Sequence, residues 1–396
     1  MKKIGLLTRL IIAIILGIII GKVAPAIIIS ILVTFNGLFG NFLNFVIPLI
    51  IVGFVVPGIA DLGKEAGKTL GITAGLAYGS TVAFGTLTFV VASILLPKFI
   101  TNGAGAFDPA SAGREAIAAI FESPMEPLFS VTTALILSFI LGVGIASVEG
   151  DTLKKAMHEF SDIITKLISV VIIPLLPIHI MGIFANMSYT GEVETIISVF
   201  AKVFVMVIAL HWITLFIQFT IASFFGGGNP VSKVRTMFPA YMTAIGTQSS
   251  AATIPVTLNQ TYKMGVEKGV ADFVIPLGAT IHLSGSTITL LSCSMAIMLL
   301  NGITPTFVEV FPFILMLGVT MVAAPGVPGG AVMAALGILE TMLGFTQPML
   351  GLMIALYVAQ DSFGTACNVT GDAAIAVIVN KITGHELKPD SYEELI

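Results

Sequence analysis

The chain has 396 residues, of which 56% are hydrophobic and only 10% charged, and its formal net charge is −4. Soluble domains carry about a quarter charged residues, so this composition excludes an ordinary soluble protein. Long unbroken apolar runs, in place of short alternating ones, exclude a transmembrane β-barrel and leave an all-α polytopic membrane protein.

A spanning helix needs roughly 20 mostly apolar residues. Taken in chain order, such spans fit 4–24, 27–59, 68–98, 126–148, 157–187 and 194–225. The basic start MKKIGLLTRL resembles a signal peptide, but no small-residue cleavage site comes after it and the membrane pattern continues, so a retained first helix is expected. Residues 99–125, with Asp108, Arg114 and Glu115, are the one long polar stretch and read as an exposed outer loop. After residue 230 the pattern changes. Segments 232–260 and 305–342 are broken near their middles by GTQSSAATIP (246–255) and AAPGVPGG (323–330). Each arm is about a dozen residues, which suits a re-entrant half-helix better than a full crossing. Each hairpin precedes a long segment, 269–300 and 346–380, that is itself interrupted by polar residues (GATIHLSGST and DSFGTACNVTGD). The second half thus holds one unit twice, and paired interrupted segments point to a transporter binding site.

Eight spans plus two hairpins place both termini on the cytoplasmic side of a cell membrane. Most of the basic residues, among them Lys2, Lys3, Arg9, Lys154, Lys155 and Lys233, then fall inside, while the outer turn near 188–194 carries Glu192 and Glu194. That agrees with the positive-inside rule, although true double crossings in place of hairpins give the same balance. Cys293 and Cys367 lie in apolar segments and read as small buried hydrophobes.

Asp361, Thr365, Asn368 and Asp372 are spaced 4, 3 and 4 apart and share one helical face. Carboxylates at membrane depth belong to ion or substrate pathways, with a structural salt bridge as the plain alternative. Half-helix ends at the two tips present partial positive charge suited to a carboxylate. Ser249 and Ser250 add hydroxyls at the first, and Gly326, Gly329 and Gly330 allow close backbone approach at the second. Packing through small residues is the bland reading of the same clusters. Gly364 is expected to leave open space on the acidic face. His282 reads as a proton carrier, a neighbour of an ion site, or a packing residue. His179 and His211 read as structural, His158 and His385 as solvated. HExxH, GxSxG and Walker signatures are missing, so the chain does not read as an enzyme and transport is expected to draw on a gradient.

Four stretches in order, TQSSAATIPVT (247–257), PLGATIHLSGS (276–286), GVPGG (326–330) and QDSFGTACNVTGD (360–372), resemble the dicarboxylate/amino acid:cation symporter family. That family includes aspartate, glutamate and serine/threonine transporters. The resemblance implies eight transmembrane helices, two re-entrant hairpins, inverted repeats, and a homotrimer working as an elevator. Residues 1–225 are then largely scaffold, with 68–98 and 194–225 partly in the transport domain, and 226–396 form the transport core. It further implies that Asp361 and Thr365 bind a substrate ammonium, and that Asn368, Ser250 and the first tip bind its α-carboxylate. Ser249, Ser286 and Gly364 complete the substrate set, with Val327 and Gly330 as a gate. Gly278, Asn368 and Asp372 match one Na⁺ site and Thr280 a second. Tyr78, Thr81 and His282 mark a remodelled third.

The departures narrow the expectation. Acidic-substrate relatives carry an arginine at the position of Gly364, and its absence would leave a substrate carboxylate unpaired. A neutral amino acid such as serine, threonine or alanine is therefore expected, with closest likeness to the serine/threonine branch. The family's Asn-Met-Asp-Gly-Thr run is His282-Leu283-Ser284-Gly285-Ser286 here, which points to fewer Na⁺ ions, with H⁺ coupling through His282 as the alternative. The expected partners are an amino acid, a coupling cation, lipid and further copies of the chain, with no nucleic acid and no organic cofactor. A channel-like protein is the competing class.

Overall fold

The computed structural model describes residues 6–61, 68–100, 117–191, 193–322, 324 and 329–383. Among them every regular element is helical: α1 (Leu6–Val23), α2 (Ala26–Asp61), α3 (Lys68–Phe99), α4 (Val131–Ser147), α5 (Thr152–Leu167), α6 (Ile173–Thr190) and α7 (Val193–Gly226), then α8 (Pro230–Thr247), α9 (Ser250–Lys263), α10 (Lys268–Ile281), α11 (Ser284–Leu300), α12 (Phe307–Val322), α13 (Gly330–Leu343) and α14 (Gln347–Thr383). Six continuous runs among the described residues are long and apolar enough to cross a membrane: 26–60, 69–99, 152–190, 196–226, 268–300 and 347–383.

Several sequence-derived boundaries shift for identifiable reasons. The fourth span starts at Val131 rather than 126, because Pro124 and Pro127 hold the chain extended. Ser130 then caps the helix, its hydroxyl accepting from the Thr133 N–H at 3.2 Å. The fifth span runs from 152 to 190 through a π turn, Ile168–Ile172, in which the Ile173 N–H reaches back to the Ile168 carbonyl. Pro174 and Pro177 come directly after, and their missing donors are absorbed by this widened turn. The polar loop expected over 99–125 lies outside the described residues from 101 to 116, and residues 117–130 are irregular and mostly exposed.

The two arms of each interrupted segment are separate helices in contact with each other, α8 with α9 and α12 with α13. The break in the segment after each hairpin is found only once. Between α10 and α11, His282 is extended (φ −110°, ψ 94°) and Leu283 also leaves the helical region (φ −119°, ψ 47°). The corresponding polar run in 346–380 does not interrupt anything: α14 is one helix of 37 residues. It contains no proline after Pro348, and its polar side chains bond sideways to other helices rather than competing for its own backbone.

The helices pack as two neighbourhoods. In one, α1 lies along α6, and α2 against α4, α5 and α6; in the other, α14 is surrounded by α7, α8, α10 and α11, with α3 along α11. The most apolar window of α14 is 94% buried, against 39% for α3 and 44% for α7, so α14 forms the axis and the other two present apolar faces outward. The α1–α6 crossing rests on Gly17 and Gly21, a small-xxx-small pair. A Cβ at Gly21 would sit 2.2 Å from the Ala185 carbonyl oxygen. Gly21→Ala should therefore lower thermal stability by about 1–3 kcal/mol. Gly75→Ala, where a Cβ meets nothing within 4 Å, should not destabilise the protein in the same melting experiment.

Candidate functional site

The 4-3-4 spacing on α14 does what helical geometry requires: Asp361, Thr365, Asn368 and Asp372 all point inward and none is more than 6% exposed. Each carboxylate and the amide is tied to a different helix start or break. The Asp361 Oδ2 accepts from the Gly329 N–H at 2.7 Å, linking α14 to the beginning of α13. Gly329 can stand there because its φ of +77° suits glycine. The Asn368 Oδ1 accepts from the Gly285 and Ser286 N–H groups, at 2.8 and 3.3 Å, which are orphan donors of the first turn of α11. The Asn368 Nδ2 donates to the Ser286 Oγ at 3.0 Å, and so does the Tyr357 hydroxyl at 2.9 Å.

Asp372 sits at the break. Its Oδ1 is 2.9 Å from the His282 Nδ1, and its Oδ2 is buried without a hydrogen-bond partner among the described residues. The His282 Nε2 meets the Ser80 Oγ at 3.0 Å, and the Gln218 amide nitrogen reaches Ser80 at 3.1 Å and Ser284 at 3.3 Å. The chain of donors closes if Gln218 donates to Ser80, Ser80 to His282 Nε2, and His282 Nδ1–H to Asp372.

One small cavity, of about 20 Å³, brings the separate pieces together. Gln248 and Ser250 come from the first hairpin, Ala324 and Ala331 from the second, and Ala279, Leu283 and Ser286 from the α10–α11 break. Tyr357, Asp361 and Thr365 come from α14, and no cationic side chain lines the space. The chain reverses between α8 and α9 through Gln248, the one non-glycine residue among those described with positive φ (+53°). The first turns of α9, α11 and α13 all contribute to the lining of this cavity, through Ser250, Ser286 and Ala331, so their partial positive charge faces one carboxylate.

Not every expected residue is where the sequence put it. Ser249 does not line the cavity; its hydroxyl caps α9 by accepting from the Ala252 N–H at 3.3 Å, while the next residue, Ser250, turns inward. Gly364 has room for a methyl group and no more open space than that. A Cβ there would contact the Gly285–Ser286 backbone at 3.6 Å, and Gly285 in turn packs so closely that its own Cβ would meet the Gly364 oxygen at 2.5 Å. Residue 364 packs against the start of α11 and does not line the cavity. Gly278 is close to Asp372, as expected, with a hypothetical Cβ 2.9 Å from the carboxyl carbon. Its carbonyl accepts the His282 N–H at 2.9 Å. Thr280 is exposed and bonds back to the Leu277 carbonyl.

Tyr78, Thr81 and His282 each hydrogen-bond to a different partner. Tyr78 donates to the Leu315 carbonyl at 3.2 Å and packs on Gly318 of α12, while Thr81 bonds to Ala77 within its own helix. His282 instead takes Ser80, one position away, because α3 presents Ser80 and not Thr81 to the break. Gly330 is buried as the first residue of α13; Val327 and Gly326 lie outside the described residues, as does His385. Cys293 and Cys367 are free and buried, as expected. His179 and His211 are buried within packed helices, and His158 is exposed. Among the described residues no cluster of three His, Cys, Asp or Glu side chains is arranged to hold a metal.

Tyr357 and Gln248 escaped the sequence reading. Tyr357 lies four residues before Asp361, so extending the same stripe by one turn finds it; Gln248 carries no signal beyond its place in the first tip.

Helices interrupted inside the apolar core, meeting around a buried carboxylate, define a multi-pass membrane protein with an internal site. The chain belongs to the Sodium:dicarboxylate symporter family, whose sequence model matches residues 6–382. It is 27% identical over 278 residues to an L-cystine uptake protein TcyP of Bacillus licheniformis, which is 67% of this chain and 58% of that protein. A second L-cystine uptake protein TcyP, of Shouchella clausii, is 27% identical over 280 residues, 67% of this chain and 59% of that one. An excitatory amino acid transporter of Caenorhabditis elegans is 33% identical over 168 residues, 42% of this chain and 33% of the relative. The chain thus spans less than two thirds of the length of these relatives. Membership of a symporter family agrees with a carrier rather than an enzyme.

Proposed function

We propose that the protein is a secondary active transporter that imports a small neutral amino acid, of the serine, threonine or alanine kind, together with a cation. The observation that carries this is the cavity in which three helix N-termini face Asp361 with no cationic side chain beside it. A zwitterion matches both halves: the ammonium on Asp361 and Thr365, the α-carboxylate on Ser250, the first tip and the second amide proton of Asn368. A substrate with a side-chain carboxylate would find no partner there. Two relatives are named for L-cystine uptake; cystine is neutral overall, its second carboxylate being matched by its own second ammonium.

The coupling ion of this reading is Na⁺, for which the uncommitted Asp372 Oδ2 beside Gly278 is the available oxygen. A second reading, H⁺ coupling, is favoured by the His282–Asp372 contact, which engages the other oxygen. Eight spans, two re-entrant hairpins and an elevator fit the two helical neighbourhoods, with α1, α2, α4, α5 and α6 as scaffold and α8–α14, flanked by α3 and α7, as the moving part. A homotrimer in a cell membrane, with cytoplasmic termini, completes the proposal.

Serine, threonine, alanine, cystine and aspartate should be compared by thermal shift in sodium and in choline buffer. Neutral amino acids should stabilise the protein and aspartate should not; tighter aspartate binding overturns the substrate assignment. Uptake into proteoliposomes under separate Na⁺ and H⁺ gradients should track the Na⁺ gradient. Uptake indifferent to Na⁺ and driven by H⁺ would transfer the coupling to the second reading.

A further inference from the structure

We infer that the Tyr357 hydroxyl, paired with Ser286, selects an amino acid whose side chain carries a hydroxyl, a narrowing that rests on the neutral amino acid reading above. In that reading the charged ends of the substrate occupy Asp361, Thr365, Ser250, the first tip and the free amide proton of Asn368. Much of the remaining lining is apolar: Ala279, Leu283, Ala324 and Ala331. Tyr357 and Ser286 are the polar side chains left for the rest of the substrate. Tyr357 stands one helical turn before Asp361 on α14, and Ser286 meets it from the first turn of α11. Both are 1% exposed, so a hydroxyl that water scarcely reaches needs a partner in the protein or in the ligand.

Their hydrogen bonds fix what each can still offer. The Ser286 Oγ receives two donors, the Tyr357 hydroxyl at 2.9 Å and the Asn368 Nδ2 at 3.0 Å. Both lone pairs of that oxygen are then engaged, and its own proton has no acceptor among the described residues. The Tyr357 oxygen gives its proton to Ser286 and accepts from no described residue, so its lone pairs are free. Side by side, the two hydroxyls present one donor and one acceptor to whatever enters between them. A substrate hydroxyl satisfies both at a single atom, accepting from Ser286 and donating to Tyr357. A methyl group in the same place leaves both dry. A site built around a substrate hydroxyl rejects the analogue that lacks it, because its own buried polar groups then lose their partner. A carboxylate would meet the Tyr357 oxygen with no proton to give it.

The test compares L-serine with L-2-aminobutyrate, which has the same shape with a methyl group in place of the hydroxyl. Affinities are measured by calorimetric titration of the full chain in lipid nanodiscs, in sodium buffer. Serine should bind at least about tenfold more tightly. Tyr357→Phe, which keeps the ring, and independently Ser286→Ala should each bring that ratio down to about one. A tyrosine that only packs α14 against α11 would weaken both ligands together and leave the ratio unchanged, and that result overturns the proposal. Equal binding of the two ligands by the wild type overturns it as well, without any variant, while leaving the neutral amino acid reading in place. Aspartate bound more tightly than serine would instead overturn that reading, and the hydroxyl selection with it.

Discussion

Asp361→Asn should abolish amino-acid-dependent stabilisation while leaving the protein folded. The wild-type carboxylate is buried at 5% exposure and accepts the Gly329 N–H through Oδ2. An asparagine oxygen can still take that N–H, so the contact between α14 and the start of α13 survives. What disappears is the negative charge opposite a substrate ammonium. Removing one partner of a buried hydrogen-bonded charge pair costs about 2–5 kcal/mol, at least about 30-fold in affinity. The measurement is a thermal-shift titration with the best-binding neutral amino acid, run beside the unliganded midpoint of each protein. An unchanged midpoint with lost ligand response is the expected pair of results. Ligand affinity equal to the wild type would place the ammonium elsewhere. Asp361→Ala is the harsher variant, since it also strands the Gly329 N–H, and its unliganded midpoint should fall below that of the asparagine variant.

Composition and residue spacing were enough to disclose the all-helical apolar architecture, the helix break at 248–249 and the acidic stripe. Long apolar runs marked the spans, and serine, glycine and proline clusters marked the tips, because those residues change backbone preference locally. The 4-3-4 stripe on α14 was legible for a similar reason: helical periodicity alone aims the four side chains together. Less was visible where tertiary contacts decide. GATIHLSGST and DSFGTACNVTGD look equally polar, yet only the first breaks its helix. Asn368 satisfies the N–H groups that this break leaves bare, so one polar run is opened and the other, kept straight, serves as its cap.

Side-chain direction was the other blind spot. Thr81 and Ser80 are adjacent in sequence, but only Ser80 faces His282. Gly364 shares the general side of the acidic stripe, yet it faces the α11 backbone, which approaches because Gly285 carries no Cβ. Such close approaches are invisible until the partner is known; the Gly17–Gly21 crossing with α6 is a second case. Family resemblance placed Tyr78, Thr81 and His282 in one group, and the histidine engages partners that the resemblance did not name. An imidazole reaches across to Asp372 and fixes Ser80 and Gln218 on its far side.

Asn368 should prove the most costly polar side chain to remove. Its amide oxygen satisfies two buried N–H groups at the start of α11, and its nitrogen holds the Ser286 hydroxyl that Tyr357 also approaches. Asn368→Leu leaves those donors dry, and each unsatisfied buried group costs about 1–3 kcal/mol. Asn368→Asp retains an acceptor and places negative charge at a helix N-terminus, where it is favoured. The two variants therefore separate a structural from a binding role. The leucine variant should melt markedly lower than the wild type, and the aspartate variant should melt close to it. Both should lose amino acid binding, the first through a collapsed break and the second through repulsion of the α-carboxylate. If Asn368→Asp binds normally, the carboxylate is held by Ser250 and the first tip without help from α14. If Asn368→Leu melts like the wild type, the α11 start finds other acceptors and does not need this amide.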